Sequence, residues 1–362
     1  MTPRDIMIQD AFLRTIAFFD VIDYAPSWSE ASAWIEWGEG ITKQSSSVER
    51  VCTDRQGMMP HDGDFPVPSS EELSEAKDAL VRSGRVEEGM GRIALRGRLG
   101  RLLALSFDRM PAQARKLRRA RRVATMLSRL GAVRFVALVN TTALANARDA
   151  ADLDFFIIAR SGRLWTTRLF AAGPYRAFGK LSRPDANPDA VCLSYFISDA
   201  NLDLSSHMLA PDDPYFRYWF LSMLPLYDDG IGEDLWKAND SLRARHPRAL
   251  RWRGKGDREL AIEKKRNIQS LISNLQSHAR LPFPSRLEYF SRAIQMRWFP
   301  AQIRARMNAD TSVIVSESAL KFHVDDARHA FRDAYEQRLV DQGIGVMGQG
   351  SGGVARFLTH DP

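Results

Sequence analysis

The sequence predicts an α+β protein of 362 residues with a helical head, a basic connecting helix, a mixed-sheet core and a helical C-terminal region. Three observations lead to this prediction. Apolar residues recur at helical spacing near both ends of the chain. Short apolar runs, typical of buried strands, are grouped in the middle together with helical segments. The first quarter of the chain is acidic, whereas the remainder is basic.

The composition restricts the environment in which the chain folds. No apolar run reaches the roughly 18 residues that a spanning helix needs, so the sequence predicts no membrane segment. Charged residues interrupt the apolar positions near the N-terminus, and no secretory signal is expected. Two cysteines, Cys52 and Cys192, cannot form a disulfide framework or a four-cysteine zinc site. They favour a reducing, cytoplasmic location.

The head, residues 1–105, begins with helical segments. Residues 8–22 carry apolar side chains at helical spacing, and residues 29–37 repeat the pattern on a shorter scale. Residues 38–68 lose this periodicity and are rich in Gly, Ser, Asp and Pro. We therefore expect two helices followed by a long surface loop.

A third helix and a hairpin complete the head. Ser69 and Glu72 have the spacing of a capping box, which opens a helix that Gly84 ends. Residues 85–95 predict two short strands joined at a glycine turn. Three helices followed by a β-hairpin describe a winged-helix-like unit.

The charge distribution argues against duplex DNA as the partner of this unit. Residues 1–90 contain 17 acidic and 8 basic residues, and the other 272 residues contain 27 acidic and 43 basic ones. A helix that reads the major groove needs Arg, Lys, Asn or Gln on its exposed face. The third helix instead carries Glu71, Glu72, Glu75 and Asp78 against Lys77 and Arg82. A packing or dimerisation role is therefore favoured over a DNA-binding regulator.

Residues 106–131 predict the basic connecting helix. Its apolar positions form one stripe: Leu117, Val123, Ala124, Leu127 and Leu130. Its cations lie between them: Arg115, Lys116, Arg118, Arg119, Arg121 and Arg122. Such a run is usually a solvated helix face. Alternatively, these cations could bind a phosphate-rich ligand or pair with the acidic head. Pairing with the head would explain both the acidic and the basic block of charge.

The core, residues 132–240, is predicted to contain strands and helices close together in sequence. The apolar runs 133–139, 152–159 and 191–197 predict three strands, and residues 165–178 predict a helix between the second and the third.

The remainder of the chain is predicted to be a helical C-terminal region, residues 241–342, followed by a flexible tail, residues 343–362. Helical spacing is present in residues 258–275, 286–296 and 325–339. Six glycines fall between residues 343 and 353, which is typical of a flexible segment.

The strongest chemical signal is the pair Asp152 and Asp154 at the start of the second strand. Strand side chains alternate, so both carboxylates project from one face, roughly 6–7 Å apart along the strand. A hard ion such as Mg²⁺ prefers oxygen ligands and shares them with substrate phosphates. Alone, such a pair is most often a strand edge facing solvent, so its surroundings decide its meaning.

These surroundings resemble the nucleotidyltransferase (DNA polymerase β-like) superfamily. The strand Arg134-Phe135-Val136-Ala137-Leu138-Val139 runs into the small polar turn Asn140-Thr141-Thr142, and the next strand carries Asp152-Leu153-Asp154-Phe155-Phe156. This pattern of strand, polar turn and aspartate-bearing strand is similar to that of one bacterial branch of largely uncharacterised nucleotidyltransferase-like proteins. The similarity extends from Phe18-Phe19-Asp20-Val21-Ile22 in the head to Ala319-Leu320-Lys321-Phe322-His323 near the C-terminus.

The resemblance implies a Mg²⁺-dependent transfer of a nucleoside monophosphate from a nucleoside triphosphate to an acceptor that the sequence does not identify. Asp152 and Asp154 would hold the metal. Asn140 and Thr141 occupy the turn that approaches the terminal phosphates. Arg163 and Arg168, which follow the second strand, are candidates for phosphate contacts, with structural ion pairing as the alternative.

Two departures from the family pattern support another hypothesis. Asn140-Thr141 replaces a Gly-Ser turn; asparagine tolerates positive φ better than most residues, but less well than glycine. The third strand contains no acid, and Ser194 stands where a third carboxylate is expected, with Asp199 and Asp203 just beyond. The alternative function is therefore a catalytically degenerate fold that acts as a scaffold or a regulatory, binding protein.

Overall fold

The computed structural model describes residues 2–38, 66–182, 188–252 and 284–345. Most of the predicted loop 38–68, the predicted helix 258–275, Cys52 and all of the predicted tail beyond residue 345 lie outside these residues.

The head consists of three helices followed by a two-stranded antiparallel hairpin, in the predicted order. The elements are α1 Pro3–Val21, α2 Trp28–Ala33, α3 Ser70–Arg82, β1 Val86–Gly89 and β2 Arg92–Leu95. The predicted capping box is confirmed, because the Ser69 hydroxyl accepts from the Glu72 backbone N–H and the Glu72 carboxylate accepts from the Ser69 N–H. Two backbone donors of the first turn are thereby satisfied.

The basic helix is longer than expected. α4 spans Leu99–Leu127, 29 residues, so it begins before residue 106, and Pro111 lies inside it. Proline removes one backbone hydrogen bond from a helix interior. Buried residues on both sides of Pro111, such as Leu102 and Ala120, hold the two halves against the rest of the protein.

The core is a mixed sheet, as the sequence predicts, but it has six strands, three more than were predicted. Its strands are β3 Val133–Leu138, β4 Leu153–Ala159, β5 Val191–Ser198, β6 Leu224–Asp228, β7 Val313–Val315 and β8 Ala319–Phe322. The order is β6-β3-β4-β5-β8-β7. β4 and β5 are parallel, and every other neighbouring pair is antiparallel.

Helices cover both faces of this sheet. They are α5 Asn140–Ala143, α6 Leu164–Ala177, α7 Pro214–Leu221, α8 Ile231–Ala238, α9 Asp240–Arg243, α10 Pro284–Trp298, α11 Ala301–Arg306 and α12 Arg328–Asp341, with a short 3₁₀ turn at Ser205–His207. Phe155 and Ile157 of β4 pack with α4 and α6 on one face. Phe156 and Ile158 pack with α7 and α8 on the other. The alternation of side chains along β4 thus builds two separate cores.

The C-terminal region, predicted to be helical, also contains two strands, at residues 313–322. β7 and β8 lie there, and β8 pairs with β5, so the C-terminal region completes the core sheet. Strands of three and four residues are too short for periodicity to reveal them.

The head packs on the core through aromatic side chains. Phe18 of α1 stacks on Tyr218 of α7, with ring centroids 3.7 Å apart, and contacts Tyr335 of α12. None of the helices that the structure describes is long and apolar enough to cross a membrane.

Candidate functional site

The two aspartates lie at the start of β4 and line one large cavity. Asp152 directly precedes the strand, and Asp154, paired in register with Cys192 of β5, has the same orientation as Phe156. Both carboxylates therefore lie on the side of the sheet that α7 covers. The cavity has a volume of about 1020 Å³ and is also lined by Tyr215 and Trp219 of α7. This volume is large enough for a nucleotide-sized ligand.

Neutral hydrogen-bond donors, not cations, contact the two carboxylates. The Asn140 side-chain amide donates to Asp154 at 2.9 Å, and the Tyr215 hydroxyl donates to the Asn140 side-chain oxygen at 2.9 Å. The Ser182 hydroxyl donates to Asp152. Within residues 2–38, 66–182, 188–252 and 284–345, no Lys or Arg forms a salt bridge with either aspartate. The negative charge of the pair is thus left uncompensated.

This arrangement disfavours ionisation of Asp154. Burial raises the pKa of its carboxyl, and the neighbouring charge of Asp152 adds to the shift, while the donors Asn140 and Cys192 oppose it. A like charge nearby and loss of water both penalise the charged form of an acid. A cation bound between the two carboxylates would remove this penalty.

Asn140 adopts the backbone conformation that the sequence suggested it could tolerate. Its φ is +59°, in the left-handed region. Asparagine enters this region more readily than most residues that carry a Cβ. The conformation aims the side-chain amide at Asp154, so the turn after β3 orients a carboxylate of β4.

Three cations elsewhere on the cavity wall have no carboxylate partner among the described residues: Arg168, Arg176 and Lys321. The Arg168 guanidinium lies over the Phe322 ring, 4.4 Å from its centroid, and donates to the Gln295 side-chain oxygen at 2.7 Å. Burial, followed by the charge of Arg176, lowers the pKa of Arg168 to about 10.

Lys321 is the most buried of these cations. Its side chain is 1% exposed, its Nζ donates to the Thr311 carbonyl at 2.8 Å, and it lies over the rings of Tyr195 and Phe216. Burial, followed by the charge of Arg328, lowers its pKa to about 7. Arg328 is itself paired with Asp213 and Asp326. Lys321 is therefore a cation held at an electrostatic cost beside the cavity.

A serine and a histidine lie where the family resemblance led us to expect a third carboxylate. The Ser194 hydroxyl lies 3.0 Å from the Nε2 of His323 and accepts from the Cys192 thiol at 3.2 Å. The register of β4 and β5 shifts beside these residues, and such bulges often re-aim side chains at functional sites. Burial, followed by the charge of Lys321, lowers the pKa of His323 to about 3, so its imidazole is neutral at pH 7.

The two acids considered as displaced third ligands lie elsewhere. Asp199, at the far end of β5, pairs with Arg134 at 3.1 Å and accepts from the Ser161 N–H. Asp203 accepts from the Ser205 N–H in the following loop. In the part of the chain that the structure describes, no group of three or more His, Cys, Asp or Glu side chains could hold a metal ion.

Four of the six predicted site residues meet at the cavity, and two do not. Asp152, Asp154, Asn140 and Arg168 line it. Thr141 instead lines a small apolar pocket of about 30 Å³ together with Phe18 and Trp34. Arg163 directly precedes α6. It therefore lies beyond the opposite end of β4, which extends about 17 Å from Asp154 to Ala159.

Several residues at the cavity were missed by sequence reasoning. Tyr215 lies in an aromatic run typical of a core, and Ser182 has no motif around it. Lys321 is a single charge inside an apolar run, which was its only available signal. The spacing of His323, Asp326 and His329 suggests a helix face, but His323 follows β8 and precedes α12.

The basic helix positions the strand that carries the aspartates. The Lys116 side chain is fully buried, and its Nζ donates to Asp189 at 2.7 Å and to the Ala151 carbonyl next to Asp152. Arg115 also binds Asp189 at 2.7 Å. Among the described residues, the cations from 115 to 122 that were predicted to pair with the acidic head form no salt bridge with it. The pairing lies earlier in the chain, where Arg98 is 2.7 Å from Asp20 and Arg101 and Arg109 lie near Asp23.

In comparisons with known proteins, no family model, no curated protein and no solved structure matches this chain.

Proposed function

We propose that the cavity binds a nucleoside triphosphate with Mg²⁺ and that the protein transfers the nucleoside monophosphate to an acceptor. One observation supports this most strongly. An uncompensated pair of aspartates shares a cavity of about 1020 Å³ with three cations that have no carboxylate partner. A magnesium–triphosphate complex has the complementary pattern, with a positive centre for the acids and negative oxygens for the cations.

The side chains at the start of β4 fit a magnesium ion. They offer carboxylate oxygens from Asp152 and Asp154, the ligand type that Mg²⁺ prefers. The ion would also neutralise the like charges that raise the pKa of Asp154. When bound, Mg²⁺ would stabilise the negative charge that develops on the phosphates during in-line transfer.

The protein's own side chains would divide the work of binding and orientation. Asp152 and Asp154 hold the metal, and the Asn140 amide fixes the direction of Asp154. Arg168, Arg176 and Lys321 attract the phosphates. The neutral imidazole of His323, with the Ser194 hydroxyl, lies where a hydrogen-bonding group can orient the acceptor.

Calorimetric titration with a non-hydrolysable nucleoside triphosphate, with and without Mg²⁺, tests this function. We expect Mg²⁺-dependent binding that Asp154→Asn weakens by at least the ~10–100-fold that loss of an outer-shell partner costs a metal site. Asp203→Asn is the matched control, since Asp203 is an exposed acid in another loop. Equal affinities for the wild type and Asp154→Asn would contradict the proposal.

A second candidate function, a degenerate nucleotidyltransferase fold that only binds nucleotide or a partner, has one specific observation in its favour. The position of the third carboxylate is taken by Ser194, which is engaged with His323. This candidate predicts Mg²⁺-dependent nucleotide binding without pyrophosphate release. Release of pyrophosphate by the wild type, absent from the double variant Asp152→Ala/Asp154→Ala, would exclude it.

For the head, we propose a winged-helix-like module that serves packing rather than DNA reading. Its third helix, α3, packs on α1. Two acids of the head already have partners within it, since Glu72 of α3 pairs with Arg4 and Glu88 of β1 pairs with Lys77. Binding of duplex DNA that is lost on deletion of α3 from an otherwise folded protein would contradict this assignment.

A further inference from the structure

The cations between residues 98 and 129, on α4 and at its two ends, fall into two sets. Those up to residue 116 have carboxylate partners: Arg98 and Arg101 pair with acids of the head, Arg109 lies near Asp23, and Arg115 and Lys116 bind Asp189. Those after residue 116 have no carboxylate partner in the described part of the chain: Arg118, Arg119, Arg121, Arg122 and Arg129. The second set is therefore a concentration of free positive charge.

Two of the free arginines, Arg118 and Arg122, share a face of α4. At 100° per residue, Arg118 and Arg122 lie about 40° apart around the helix and one turn apart along it. Both are exposed, as is Arg129 in the turn after α4. Arginine binds phosphate oxygens with two parallel hydrogen bonds, so this spacing suits successive phosphates of a chain.

This face continues to the rim of the cavity through the end of α6. The Tyr175 hydroxyl contacts the Met126 sulfur of α4 at 3.8 Å. Burial raises the pKa of Tyr175, and the charge of Arg119 opposes the shift, so Arg119 lies close to this helix. The next residue, Arg176, lines the cavity, where its charge acts on Arg168.

An exposed aromatic side chain lies beside these charges. Phe178, directly after α6, is 77% exposed, and Lys180 follows it. Aromatic side chains next to a basic surface provide stacking platforms for unpaired bases, whereas duplex bases are already stacked on one another. We call Arg118, Arg122, Arg129, Arg176 and Phe178 the basic track.

We infer that the basic track binds a single-stranded nucleic acid and leads one of its ends into the cavity. The free arginines supply the phosphate contacts, Phe178 supplies a base contact, and Arg176 belongs to both the track and the cavity. As a binding site, the track stands on its own charge and exposure. The identification of the strand end as the acceptor rests on the proposed function.

Fluorescence anisotropy with the full chain tests the inference. The probes are a labelled single-stranded oligonucleotide, a duplex of the same sequence and anionic lipid vesicles, each titrated over a range of salt. We expect Arg118→Gln/Arg122→Gln to weaken single-strand binding at least ~10-fold at low salt and to reduce the salt slope by about 1.4, as two lost phosphate contacts require. Phe178→Ala is expected to weaken it about fivefold or more.

The matched control is Arg82→Gln/Arg96→Gln, which removes the same charge from exposed positions of the head. An equal loss of affinity in both double variants would reduce the effect to net charge and overturn the inference. So would tighter binding of the duplex, or binding of vesicles without binding of the single strand.

The proposed function and this inference can fail separately. Single-strand binding without Mg²⁺-dependent nucleotide binding would contradict the proposed function alone. Nucleotide binding without single-strand binding would contradict the basic track alone.

Discussion

Two clusters of charged side chains in this protein differ in how their charges are compensated. At the junction of head and core, Glu36 is 3% exposed and lies 3.2 Å from Arg217 and 3.4 Å from Arg245. Its second oxygen accepts from the Tyr335 hydroxyl at 3.0 Å. At the start of β4, by contrast, Asp152 and Asp154 have only neutral donors among the described residues.

The difference is visible in the direction of the pKa shifts. Burial acts to raise the pKa of Glu36, but Arg217, Arg14, His246 and Arg245 outweigh it and hold the pKa at about 2. Burial also raises the pKa of Asp154, and there the nearest charge, Asp152, adds to the shift. Compensated charges connect parts of a structure, whereas uncompensated ones cost stability and mark places where a ligand could supply the missing charge.

The largest expected effect is on the compensated cluster. Glu36→Gln leaves Arg217, 2% exposed, paired only with the more exposed Asp212 among the described residues. Loss of one partner of a buried pair costs ~3–5 kcal/mol, and the remaining pair with Asp212 places the expected cost at the lower end of this range. Urea denaturation measures this change in the free energy of unfolding. Asp149→Asn, at an exposed pair with Arg115, is the control and should cost less than ~1 kcal/mol.

The same pair has a pH signature. Because the pKa of Glu36 is lowered on folding, its contribution is present above the unfolded pKa near 4.5 and is lost as the pH falls towards 2. Glu36→Gln should lack this part of the acid destabilisation. A parallel pH dependence in the wild type and the variant would show that the ion pair contributes nothing to stability.

Lys321→Met should change the free energy of unfolding in the opposite direction from Glu36→Gln and stabilise the protein. The pKa of Lys321 falls from 10.5 to about 7 on folding, so the charged form is penalised below the unfolded pKa. The wild type should therefore gain stability as the pH rises from about 7 to 10.5. This fall of the pKa penalises the charged lysine by a few kcal/mol at pH 7. Loss of the hydrogen bond to the Thr311 carbonyl offsets part of the gain, so the variant should be more stable by ~1–3 kcal/mol at pH 7, with the advantage lost towards pH 10.5.

Thermal unfolding across this pH range measures the difference. Lys237→Met is the control, because Lys237 is an exposed lysine paired with Glu233 on α8. If Lys321→Met is less stable than the wild type at pH 7, the lysine is structural and its hydrogen bond to the Thr311 carbonyl outweighs its burial.

Asp154→Asn should change stability less than either variant. It removes a charge that folding disfavours, and an asparagine oxygen can still accept from the Asn140 amide. We expect a free energy of unfolding at pH 7 within ~1 kcal/mol of the wild type, or above it. A loss as large as that of Glu36→Gln would place the aspartate pair in the same class as the junction cluster.

The sequence predicts the parts of this fold that rest on local pattern. β3, β4 and β5 are continuous apolar runs, and the helix caps carry their own signals. β6 was missed because Pro225 interrupts it and its residues are only partly buried. The predicted connecting helix begins at residue 106, whereas α4 begins at Leu99 and continues through Pro111, because buried residues on both sides of the proline pack against the rest of the protein.

The candidate site divides in the same way. Asp152, Asp154 and Asn140 are close in sequence, so the turn after β3 brings them together and the sequence suffices. Lys321 reaches the cavity only because β8 pairs with β5, with Lys321 opposite Tyr195. No local sequence pattern encodes such a pairing. Arg163 is near Asp154 in sequence, but it follows the opposite end of β4 and therefore lies far from the cavity residues at the start of that strand.

The smallest expected effect distinguishes the two halves of the turn after β3. Asn140 and Thr141 both line the apolar pocket with Phe18 and Trp34, but Asn140 also lines the cavity and donates to Asp154, whereas Thr141 does not line the cavity. Thr141→Val should therefore leave Mg²⁺-dependent nucleotide affinity unchanged and shift the free energy of unfolding by less than ~0.5 kcal/mol, as for a substitution away from any special feature. Asn140→Ala should weaken nucleotide binding, since Asp154 loses its orienting amide, and a Cβ-bearing residue without a polar side chain is strained at positive φ by ~1 kcal/mol. Calorimetry on both variants decides, and a loss of affinity in Thr141→Val equal to that in Asn140→Ala would mean that the threonine hydroxyl turns to the phosphates when nucleotide binds.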